Sequence, residues 1–330
     1  MIPITCAPLT LELRTTFRIA HGASDQRHNV LVRVAEGVGE AAAVAYHGET
    51  QAGIMSYLDS LGGFDDDLMM LEDILERLPA GSQAARAGVD IALHDLWGQR
   101  LGQPLYRLLG LNPERIPLTS FTIAMDAPEA MAERARASGL PILKIKVGSE
   151  QDEAMLSAIR EATDAQLRLD ANAGWSREQA QNWLPRLAEY GIELMEQPLP
   201  VGDIEGLRQL RALKSGIPIF ADESIKTARD VAAHAGAVDG VVIKLMKTGG
   251  IREALRAIHT ARAHDMQVML SCMIESSVGV TAAAHLAPLC DTVDLDGPLL
   301  VKNDPFEGVR YEGARLLLPE RPGIGVKLRE

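Results

Sequence analysis

Residues 143–147 read Leu-Lys-Ile-Lys-Val, and this stretch decides how the rest of the chain is interpreted. Alternate side chains of a β-strand point to the same face, so Lys144 and Lys146 point one way and the aliphatic residues point the other. An exposed edge strand with two solvated lysines would show the same pattern, because lysine on an edge hinders aggregation. The sequence that follows separates these two interpretations.

Downstream of this stretch, short apolar runs end in a charged or polar residue at intervals of about 22 to 27 residues. The residues at these ends are Lys146, Asp170, Glu196, Asp222, Lys244, Ser271 and Asp294. A strand, a helix and two loops need about that many residues, which is the period of a β/α barrel. Catalytic groups of such barrels come from the C-terminal ends of several strands. The sequence therefore places the two lysines in a ring of functional side chains.

The predicted fold class is α/β, with an eight-strand barrel over residues 113–305. The predicted strands are Leu118–Ala124, Leu143–Val147, Leu167–Asp170, Leu194–Gln197, Ile219–Asp222, Val241–Leu245, Val268–Cys272 and Thr292–Leu295. The helices predicted between them include Pro128–Ala137, Glu153–Ala162, Arg177–Ala188, Ile204–Leu213 and Ile251–Ala263.

Residues 1–112 lack the barrel period and predict a smaller α+β domain. Asn29–Val34 alternates like a strand, and the polar stretch before it, His21–His28, is predicted to be a loop. Ala84–Leu101 has apolar residues at helical spacing and is followed by a Gly-Gln-Pro stop. Leu111–Pro113 is the best boundary. Residues 306–330, too rich in glycine and proline for a helix, are expected to return and complete the first domain.

Composition limits the classes of partner. The net charge is −12, which argues against nucleic acid or an anionic membrane surface as the partner. No apolar run approaches the length of a membrane span, and no signal-peptide pattern follows Met1. The cysteines, Cys6, Cys272 and Cys290, have no metal-ligand spacing and are expected to be reduced thiols. A cytoplasmic protein is the expectation.

Three successive barrel strands end in carboxylates, at Asp170, Glu196 and Asp222. Oxygen ligands suit a hard cation, and Mg²⁺ takes a few carboxylates while keeping positions for water and substrate. Each acid could instead cap the helix that follows it. Capping explains one such acid but explains three in phase poorly. The sequence therefore predicts one Mg²⁺ site.

Lys146 and Lys244 end the second and sixth strands, nearly opposite each other around the ring. A neutral lysine on one face of a substrate can take an α-proton while an ammonium group on the other face returns one, with the metal stabilising the enediolate between. Nearby Mg²⁺, Lys144 and desolvation would have to lower the lysine pKa. Two bases on opposite faces imply racemisation or epimerisation. Lys247 is a rival for the role of Lys244.

The ordered motifs LKIKVG, LRLDANAGW, MEQPLP, ADES and IKLMKTGG (residues 143–148, 167–175, 195–200, 221–224 and 243–250) resemble the enolase superfamily, in its muconate-lactonising branch. The resemblance covers nearly the whole chain. It implies a (β/α)7β barrel with an N-terminal α+β capping domain. It also implies Mg²⁺ on Asp170, Glu196 and Asp222, an acid/base pair of Lys146 and Lys244, and a role for Lys144 at the substrate carboxylate.

The eighth strand is informative about the substrate. Asp294 and Asp296 lie two residues apart, so both would face the barrel mouth, and a carboxylate pair there attracts a cation such as an α-ammonium group. A turn would explain Asp296 with Gly297 but not Asp294. Within the superfamily the pattern is similar to dipeptide epimerases, whose paired aspartates hold the amino terminus of the dipeptide. The second residue's α-carbon would then be inverted.

The residues that select side chains are expected in two loops. The motif FRIAHG at residues 17–22 is similar to members that act on alanyl-glutamate. Members that favour glutamate carry an arginine in the stretch corresponding to residues 18–28, where Ser24 stands here. Met273, after the seventh strand, and Thr122, on the first, are the other expected substrate contacts. These residues therefore do not determine which side chain the second residue of the dipeptide carries.

Other functions remain compatible with parts of this pattern. N-acylamino acid racemases and o-succinylbenzoate synthases share the barrel and the lysines, but their substrates have no free ammonium group and do not need Asp294 and Asp296. A lysine Schiff-base lyase is disfavoured by three carboxylates beside the base. A non-catalytic barrel would be expected to lack a ligand or a base, and none is missing. Homo-oligomerisation is compatible with the sequence.

Overall fold

The chain begins with a three-stranded antiparallel sheet. In the computed structural model, which describes residues 2–64 and 67–330, its strands are β1 (Ile4–Ile19), β2 (Gly22–Val34) and β3 (Gly37–Ala41). The helices that follow are α1 (Gln51–Asp59), α2 (Leu71–Glu76), α3 (Gln83–Leu101) and α4 (Leu105–Leu108), with short 3-10 helices at Ala45–His47, Leu68–Met70 and Pro113–Arg115. The predicted range 1–112 also contains Met1, Asp65 and Asp66, which lie outside the described residues.

Helix α3 packs on one face of this sheet. Alternate β2 residues, Val30, Val32 and Val34, are buried in the same apolar cluster as α3. Glycine in β3 permits the close approach, because a Cβ atom at Gly39 would lie 2.0 Å from the carbonyl oxygen of Gly88 on α3. The sheet and α3 therefore form one tightly packed layer pair.

The predicted loop at His21–His28 is wrong. Strands β1 and β2 pair as far as Ile19 and Gly22, so only two residues form the turn. Most residues of this outer part of the hairpin are exposed. Because neither face of it is fully buried, it lacks the apolar alternation by which a strand is recognised in a sequence.

Eight parallel strands then form the barrel, in the order of the sequence. They are β4 (Phe121–Ile123), β5 (Ile142–Lys146), β6 (Gln166–Asp170), β7 (Ile192–Glu196), β8 (Ile219–Ala221), β9 (Gly240–Ile243), β10 (Gln267–Ser271) and β11 (Thr292–Asp294). A parallel bridge between Thr119 and Val293 joins the first strand region to the last. The predicted (β/α)7β barrel with an N-terminal capping domain is confirmed.

Helices cover the outside of the barrel. They are α5 (Pro128–Ser138), α6 (Asp152–Ala162), α7 (Arg177–Trp183), α8 (Ile204–Ala212), α9 (Ala228–His234), α10 (Leu245–Thr248), α11 (Ile251–Ala263), α12 (Ser277–Ala284) and α13 (Gly297–Leu300), with 3-10 helices at Leu184–Tyr190 and Ala287–Leu289. The predicted helix Arg177–Ala188 is therefore shorter as an α-helix. Pro185 lies in the first turn of the 3-10 segment and has no N–H for an α-helical hydrogen bond.

Barrel strands divide their side chains between two cores. Leu194, Phe220, Val242 and Met269 fill the barrel interior below the mouth. The alternate residues, such as Leu167 and Leu169 on β6, belong to the large cluster shared with the surrounding helices. The next inward-pointing side chains along each strand therefore lie at the C-terminal mouth of the barrel.

The segment after the barrel returns to the first part of the chain. It contains the short strands β12 (Phe306–Glu307), β13 (Arg310–Glu312), β14 (Arg315–Leu317) and β15 (Lys327–Leu328). Gly323 exchanges backbone hydrogen bonds with Gln103 and Leu105, and the N–H of Ile324 donates to the carboxylate of Asp95 at 2.8 Å. Residues after β11 also meet the first strand, where the N–H of Lys302 donates to the carbonyl oxygen of Glu12.

Among the described residues, none of the helices combines the length and the apolar character that crossing a membrane requires.

Candidate active site

The C-terminal ends of the barrel strands bring the predicted carboxylates and lysines together. The strand register places Lys146, Asp170 and Glu196 beside one another on β5, β6 and β7. Asp222 follows the last residue of β8, and Lys244 follows the last residue of β9. All five side chains are buried. The charged residues that end the apolar runs of the sequence thus lie together in one site.

Asp170, Glu196 and Asp222 form a compact acidic cluster. Each offers a carboxylate oxygen, and these oxygens all lie within 4.8 Å of one another. Opposite ligands of an octahedral Mg²⁺ ion are about 4.2 Å apart, because each Mg–O bond is about 2.1 Å. Shifts of a few tenths of an ångström would therefore bring the three oxygens into one coordination sphere. The residues fit a magnesium ion, and they leave positions for water and substrate.

Three lysines meet these carboxylates. Lys146 Nζ lies 2.6 Å from Asp170 Oδ2, and Lys244 Nζ lies 2.6 Å from Asp222 Oδ2. Lys144 Nζ lies 3.1 Å from Asp170 Oδ2, 2.8 Å from Glu196 Oε2 and 2.9 Å from Asp294 Oδ2. Lys144 is thus the central cation of the site, whereas Lys146 and Lys244 lie on opposite sides of the ring.

Lys247, the rival to Lys244, has different surroundings. Its ammonium group donates to the carboxylate and the carbonyl oxygen of Asp222 and to the carbonyl oxygen of Val242. It does not line the central cavity as Lys244 does; it lines a small neighbouring cavity beside His47 and Met246. Its position suits the support of Asp222, and Lys244 is the lysine that faces the substrate space.

Opposite charges control the protonation of these groups. Burial alone would lower the pKa of Lys244, but Asp222 outweighs burial and holds the lysine pKa well above its usual value. Burial would likewise raise the pKa of Asp222, but Lys244 and Lys247 hold it well below its usual range. Burial, reinforced by the Asp170 carboxylate, raises the pKa of Glu196. A cation on the acidic cluster would compete for the carboxylates that keep Lys244 protonated.

The two aspartates at the end of β11, Asp294 and Asp296, have unequal partners. Asp294 accepts hydrogen bonds from Ser120 Oγ at 2.8 Å and Ser271 Oγ at 3.0 Å, in addition to its contact with Lys144. Asp296 accepts one from the N–H of Thr122 at 2.6 Å. Burial, with the nearby Asp294 carboxylate, raises the pKa of Asp296 to about 7. Asp296 is therefore the carboxylate with capacity for a further cation.

A cavity at the barrel mouth joins these groups to the capping domain. Its wall includes Thr122, Met273, Asp294 and Asp296 with Lys144, Lys146 and Lys244, and the capping domain adds Phe17, Ile19, Arg27, Val44 and Tyr46. The hydroxyl of Ser24 instead bonds to the backbone of Gln26, its neighbour in β2. Thr122 and Met273 thus lie where the sequence placed them, and Arg27 rather than Ser24 faces the cavity from the hairpin.

Arg27 was missed because the strand was taken to begin at Asn29. Asn29 faces the barrel, where its side chain donates to the carbonyl oxygen of Ile274. Alternation carried two residues back from Asn29 puts Arg27 on the same face. Its guanidinium carbon lies 5.9 Å from the centre of the Phe17 ring, and among the described residues no carboxylate forms an ion pair with it. Burial lowers the pKa of Arg27.

Gln197 is a second residue that the sequence analysis missed. Its side-chain oxygen accepts from the N–H of Asp222 at 2.8 Å, and its side-chain nitrogen donates to the carbonyl oxygen of Leu199 at 2.7 Å. It has a positive φ of 34°, which is costly for a residue other than glycine. The buried amide therefore holds the backbone of Asp222, and its place directly after Glu196 was the available signal.

A larger concavity, about 650 Å³, lies at the opposite end of the barrel. Its wall includes Arg208 and Arg211, which are paired with Glu205 and Asp239. Those arginines already have anionic partners, and catalytic groups of β/α barrels lie at the other end. The smaller cavity at the C-terminal mouth is therefore the candidate functional site.

Known proteins share both the sequence and the fold. An L-Ala-D/L-Glu epimerase of Bacteroides thetaiotaomicron is 41% identical over 335 residues, which cover 98% of this chain and 87% of that protein. The structure of a dipeptide epimerase from Enterococcus faecalis V583, complexed with Mg and the dipeptide L-Leu-L-Tyr, has a TM-score of 0.90 at 35% identity and covers 99% of each chain. An N-succinyl Arg/Lys racemase from Bacillus cereus has a TM-score of 0.92 at 28% identity, covering 99% of this chain and 95% of that one.

Two family profiles cover most of the sequence. One profile, for the N-terminal domain of the mandelate racemase / muconate lactonizing enzyme family, matches residues 1–110. The other profile, for the enolase C-terminal domain-like family, matches residues 127–330. The predicted membership of the enolase superfamily is confirmed, and the chain belongs to its mandelate racemase / muconate lactonizing enzyme family.

Proposed function

We propose that this protein is a Mg²⁺-dependent dipeptide epimerase that inverts the α-carbon of the second residue. One observation carries the proposal: Lys146, Lys244 and the Asp294–Asp296 pair line one cavity, and both lysines are ion-paired with a buried carboxylate cluster suited to Mg²⁺. Each part serves one need of the reaction, namely a site for the substrate carboxylate, two proton carriers and a site for the ammonium group.

The two lysines exchange the α-proton. Lys146 and Lys244 lie on the second and sixth of eight barrel strands, so a substrate held between them presents one face to each. The neutral Nζ of one lysine takes the proton, and the ammonium Nζ of the other donates one to the opposite face, which inverts the carbon. When bound, Mg²⁺ would supply positive charge that offsets the charge developing on the substrate carboxylate. Lys144, between the acidic cluster and Asp294, holds the substrate carboxylate.

The ammonium group of the dipeptide binds to Asp296, with Asp294 beside it. Asp294 already has Lys144 and two hydroxyl groups as partners, so Asp296 carries most of the new interaction. An ammonium group compensates a buried carboxylate that otherwise resists ionisation. This site distinguishes dipeptides from N-acylated amino acids, which have no ammonium group to place there.

We further infer that the second residue is acidic. Arg27 reaches the cavity without a carboxylate of its own among the described residues, and a half-buried guanidinium gains most from an anionic partner. Glutamate or aspartate in the substrate would supply that anion. Ser24 has no part in this selection, because its hydroxyl bonds within its own strand. Cytoplasmic location, assembly into homo-oligomers and domain boundaries at residues 112 and 305 stay predictions.

The test is α-proton exchange in D₂O, read by mass spectrometry. Purified protein with Mg²⁺ is given L,L-dipeptides that vary in the second residue, and N-succinyl amino acids are given in parallel. We expect one deuterium at the α-carbon of dipeptides that end in glutamate or aspartate. The negative control is the double variant Lys146→Ala/Lys244→Ala, which measures the exchange that occurs without either lysine. Exchange confined to N-succinyl amino acids would replace the proposal with an N-acylamino acid racemase, and no exchange in either set would remove it.

Two variants on the same hairpin test the acidic preference. Arg27→Met should reduce the kcat/KM ratio for L-Ala-L-Glu over L-Ala-L-Gln by roughly 10- to 100-fold, the value of a charge-assisted hydrogen bond of about 1.5–3 kcal/mol. Ser24→Ala is the control and should leave the ratio unchanged. If the ratio survives in Arg27→Met, another group selects the side chain.

A further inference from the structure

A buried carboxylate of the capping domain holds the turn between β10 and α12. Glu40, on β3, accepts hydrogen bonds from Asn29 Nδ2 at 2.8 Å, from the N–H and Oγ of Ser276 at 3.0 and 2.6 Å, and from the N–H of Gly279 at 3.1 Å. Ser276 and Gly279 lie at the start of α12, where free N–H groups and the helix dipole favour an anion. The carboxyl group of Glu40 thus binds the capping domain to this turn; burial raises its pKa, and the hydrogen bonds from Ser276, Asn29 and Gly279 act against burial in favour of the ionised form.

A second buried carboxyl group approaches the same glycine at the start of α12. Glu275 is 1% exposed, and its Oε1 accepts a hydrogen bond from the N–H of Met273 at 2.7 Å. Its Oε2 reaches Gly279, where a Cβ atom would lie 2.1 Å away. Glu275 and Glu40 therefore meet at the same glycine, from the two sides of the domain contact.

The two carboxyl groups have unequal support. Four donors surround Glu40, whereas Glu275 has the N–H of Met273. Two adjacent buried carboxyl groups do not both ionise, and the better-solvated one keeps the charge. Burial, with the nearby Glu40 carboxylate, raises the pKa of Glu275 to about 8, while Lys244 acts in the opposite direction. The Cys272 thiol, whose pKa is also raised by burial, is the further titratable group beside Glu275.

The turn that these groups hold is part of the cavity wall. Met273 and Ile274 both line the cavity, and Ile274 accepts through its carbonyl oxygen the second hydrogen bond of Asn29. A change at Glu275 acts on Met273 directly, through the hydrogen bond to its backbone. Glu275, which does not itself line the cavity, is thus hydrogen-bonded to the backbone of the cavity wall.

We propose that Glu275 is a positioning residue whose un-ionised carboxyl group, next to the Glu40 carboxylate, keeps Met273 and Ile274 against the substrate, and that its ionisation at alkaline pH displaces this wall and weakens substrate binding. The repulsion between two adjacent buried carboxylates supplies the driving force. The inference rests on the proposed function for its substrate, and it adds a pH-dependent element of the specificity wall.

The variant Glu275→Gln isolates this effect, because glutamine keeps the shape and the acceptor for Met273 but cannot ionise. KM and kcat for the preferred dipeptide are measured from pH 6.5 to 9.5 in both proteins. The ratio of KM in the unmodified protein to KM in Glu275→Gln should be near 1 at pH 6.5 and should rise at least tenfold by pH 9.5. The ratio of kcat values should stay constant. Titration of the substrate and of the catalytic lysines affects both proteins alike and cancels.

Two further measurements separate the outcomes. The surface variant Glu307→Gln, on β12, is the control and should give a flat KM ratio. Amide hydrogen exchange of residues 272–279, corrected for the intrinsic effect of pH, reports the wall without any substrate. It should lose protection above pH 8 in the unmodified protein and not in Glu275→Gln. A flat KM ratio, or unchanged protection of this segment across the range, overturns the inference.

Amide hydrogen exchange also tests the inference if no dipeptide reacts or if Glu275→Gln does not fold. In the first case the proposed function fails, and loss of protection above pH 8 would still support the role of Glu275 in holding the turn. In the second case the unmodified protein alone gives the answer, since unchanged protection of residues 272–279 contradicts the inference.

Discussion

Replacement of Asp296 by asparagine tests the ammonium site most directly. The cavity raises the pKa of this carboxyl group from 3.8 to about 7. A shift of about three units corresponds to about 4 kcal/mol against the ionised form, at 1.36 kcal/mol for each unit. A substrate ammonium group recovers part of this energy, because it binds the ionised form. The substitution Asp296→Asn keeps the size of the side chain and removes the charge that would be compensated.

The expected loss follows from that energy. Removal of one member of a buried charge pair costs about 2–5 kcal/mol. We therefore expect Asp296→Asn to lower kcat/KM for a dipeptide by roughly 30- to 5,000-fold and to change kcat/KM for an N-succinyl amino acid by less than about threefold. Initial rates of deuterium incorporation under subsaturating substrate measure both values in the same preparation.

The pH dependence of kcat/KM gives an independent test of the ammonium site. A raised pKa means that Asp296 in the free protein loses its charge as the pH falls through about 7. The ratio of kcat/KM for dipeptides in the unmodified protein to that in Asp296→Asn should therefore fall about tenfold per pH unit below that value, because protonation of the catalytic lysines affects both proteins alike. Equal losses for dipeptides and N-succinyl amino acids, or a ratio that does not change with pH, would refute the assignment of the ammonium site.

Three other changes have defined outcomes. Lys244→Ala should reduce inversion by at least about 100-fold, the contribution of a general acid or base; polarimetry measures it, and persisting inversion would exclude the two-base scheme. Mg²⁺ at 100 times its dissociation constant should stabilise the protein by about 2.7 kcal/mol, seen as a higher melting temperature, and Asp222→Asn should lose most of this increment. Gly39→Ala should lower the free energy of unfolding by about 1–3 kcal/mol, because the added carbon would lie 2.0 Å from the carbonyl oxygen of Gly88. Urea unfolding measures this change, and an unchanged urea midpoint would show that α3 moves away freely.

Spacing along the chain was sufficient to predict the barrel and most groups at its mouth. Asp170, Glu196 and Lys244 each follow an apolar run, and parallel strands bring their C-terminal ends to one side whatever the details of packing. The prediction needed only which residue ends each strand. An error of three residues at the start of the first strand, Leu118 against Phe121, moves its end by only one residue, from Ala124 to Ile123.

Contacts that depend on strand register or on distant pairing could not be predicted in this way. Ser24 and Arg27 lie three residues apart on opposite faces of β2, and the choice between them depends on a hairpin whose exposed part has no apolar pattern. Glu40 and Ser276 are 236 residues apart, and no spacing rule relates a capping-domain strand to a barrel helix. Gln197 was adjacent to a predicted ligand, but its role depends on the backbone of the next strand.

The late return of the chain to helix α3 has a consequence for synthesis on the ribosome. Asp95 and the residue that donates to it, Ile324, are 229 residues apart, so the whole barrel is translated before this contact can form. Until then, the Asp95 carboxyl group, whose pKa burial raises to about 6, has one fewer donor to compensate its desolvation. Nascent chains that stop early would carry a barrel with an incompletely fastened first domain. Cellular proteases, which cleave opened regions, would therefore remove such fragments in preference to finished protein.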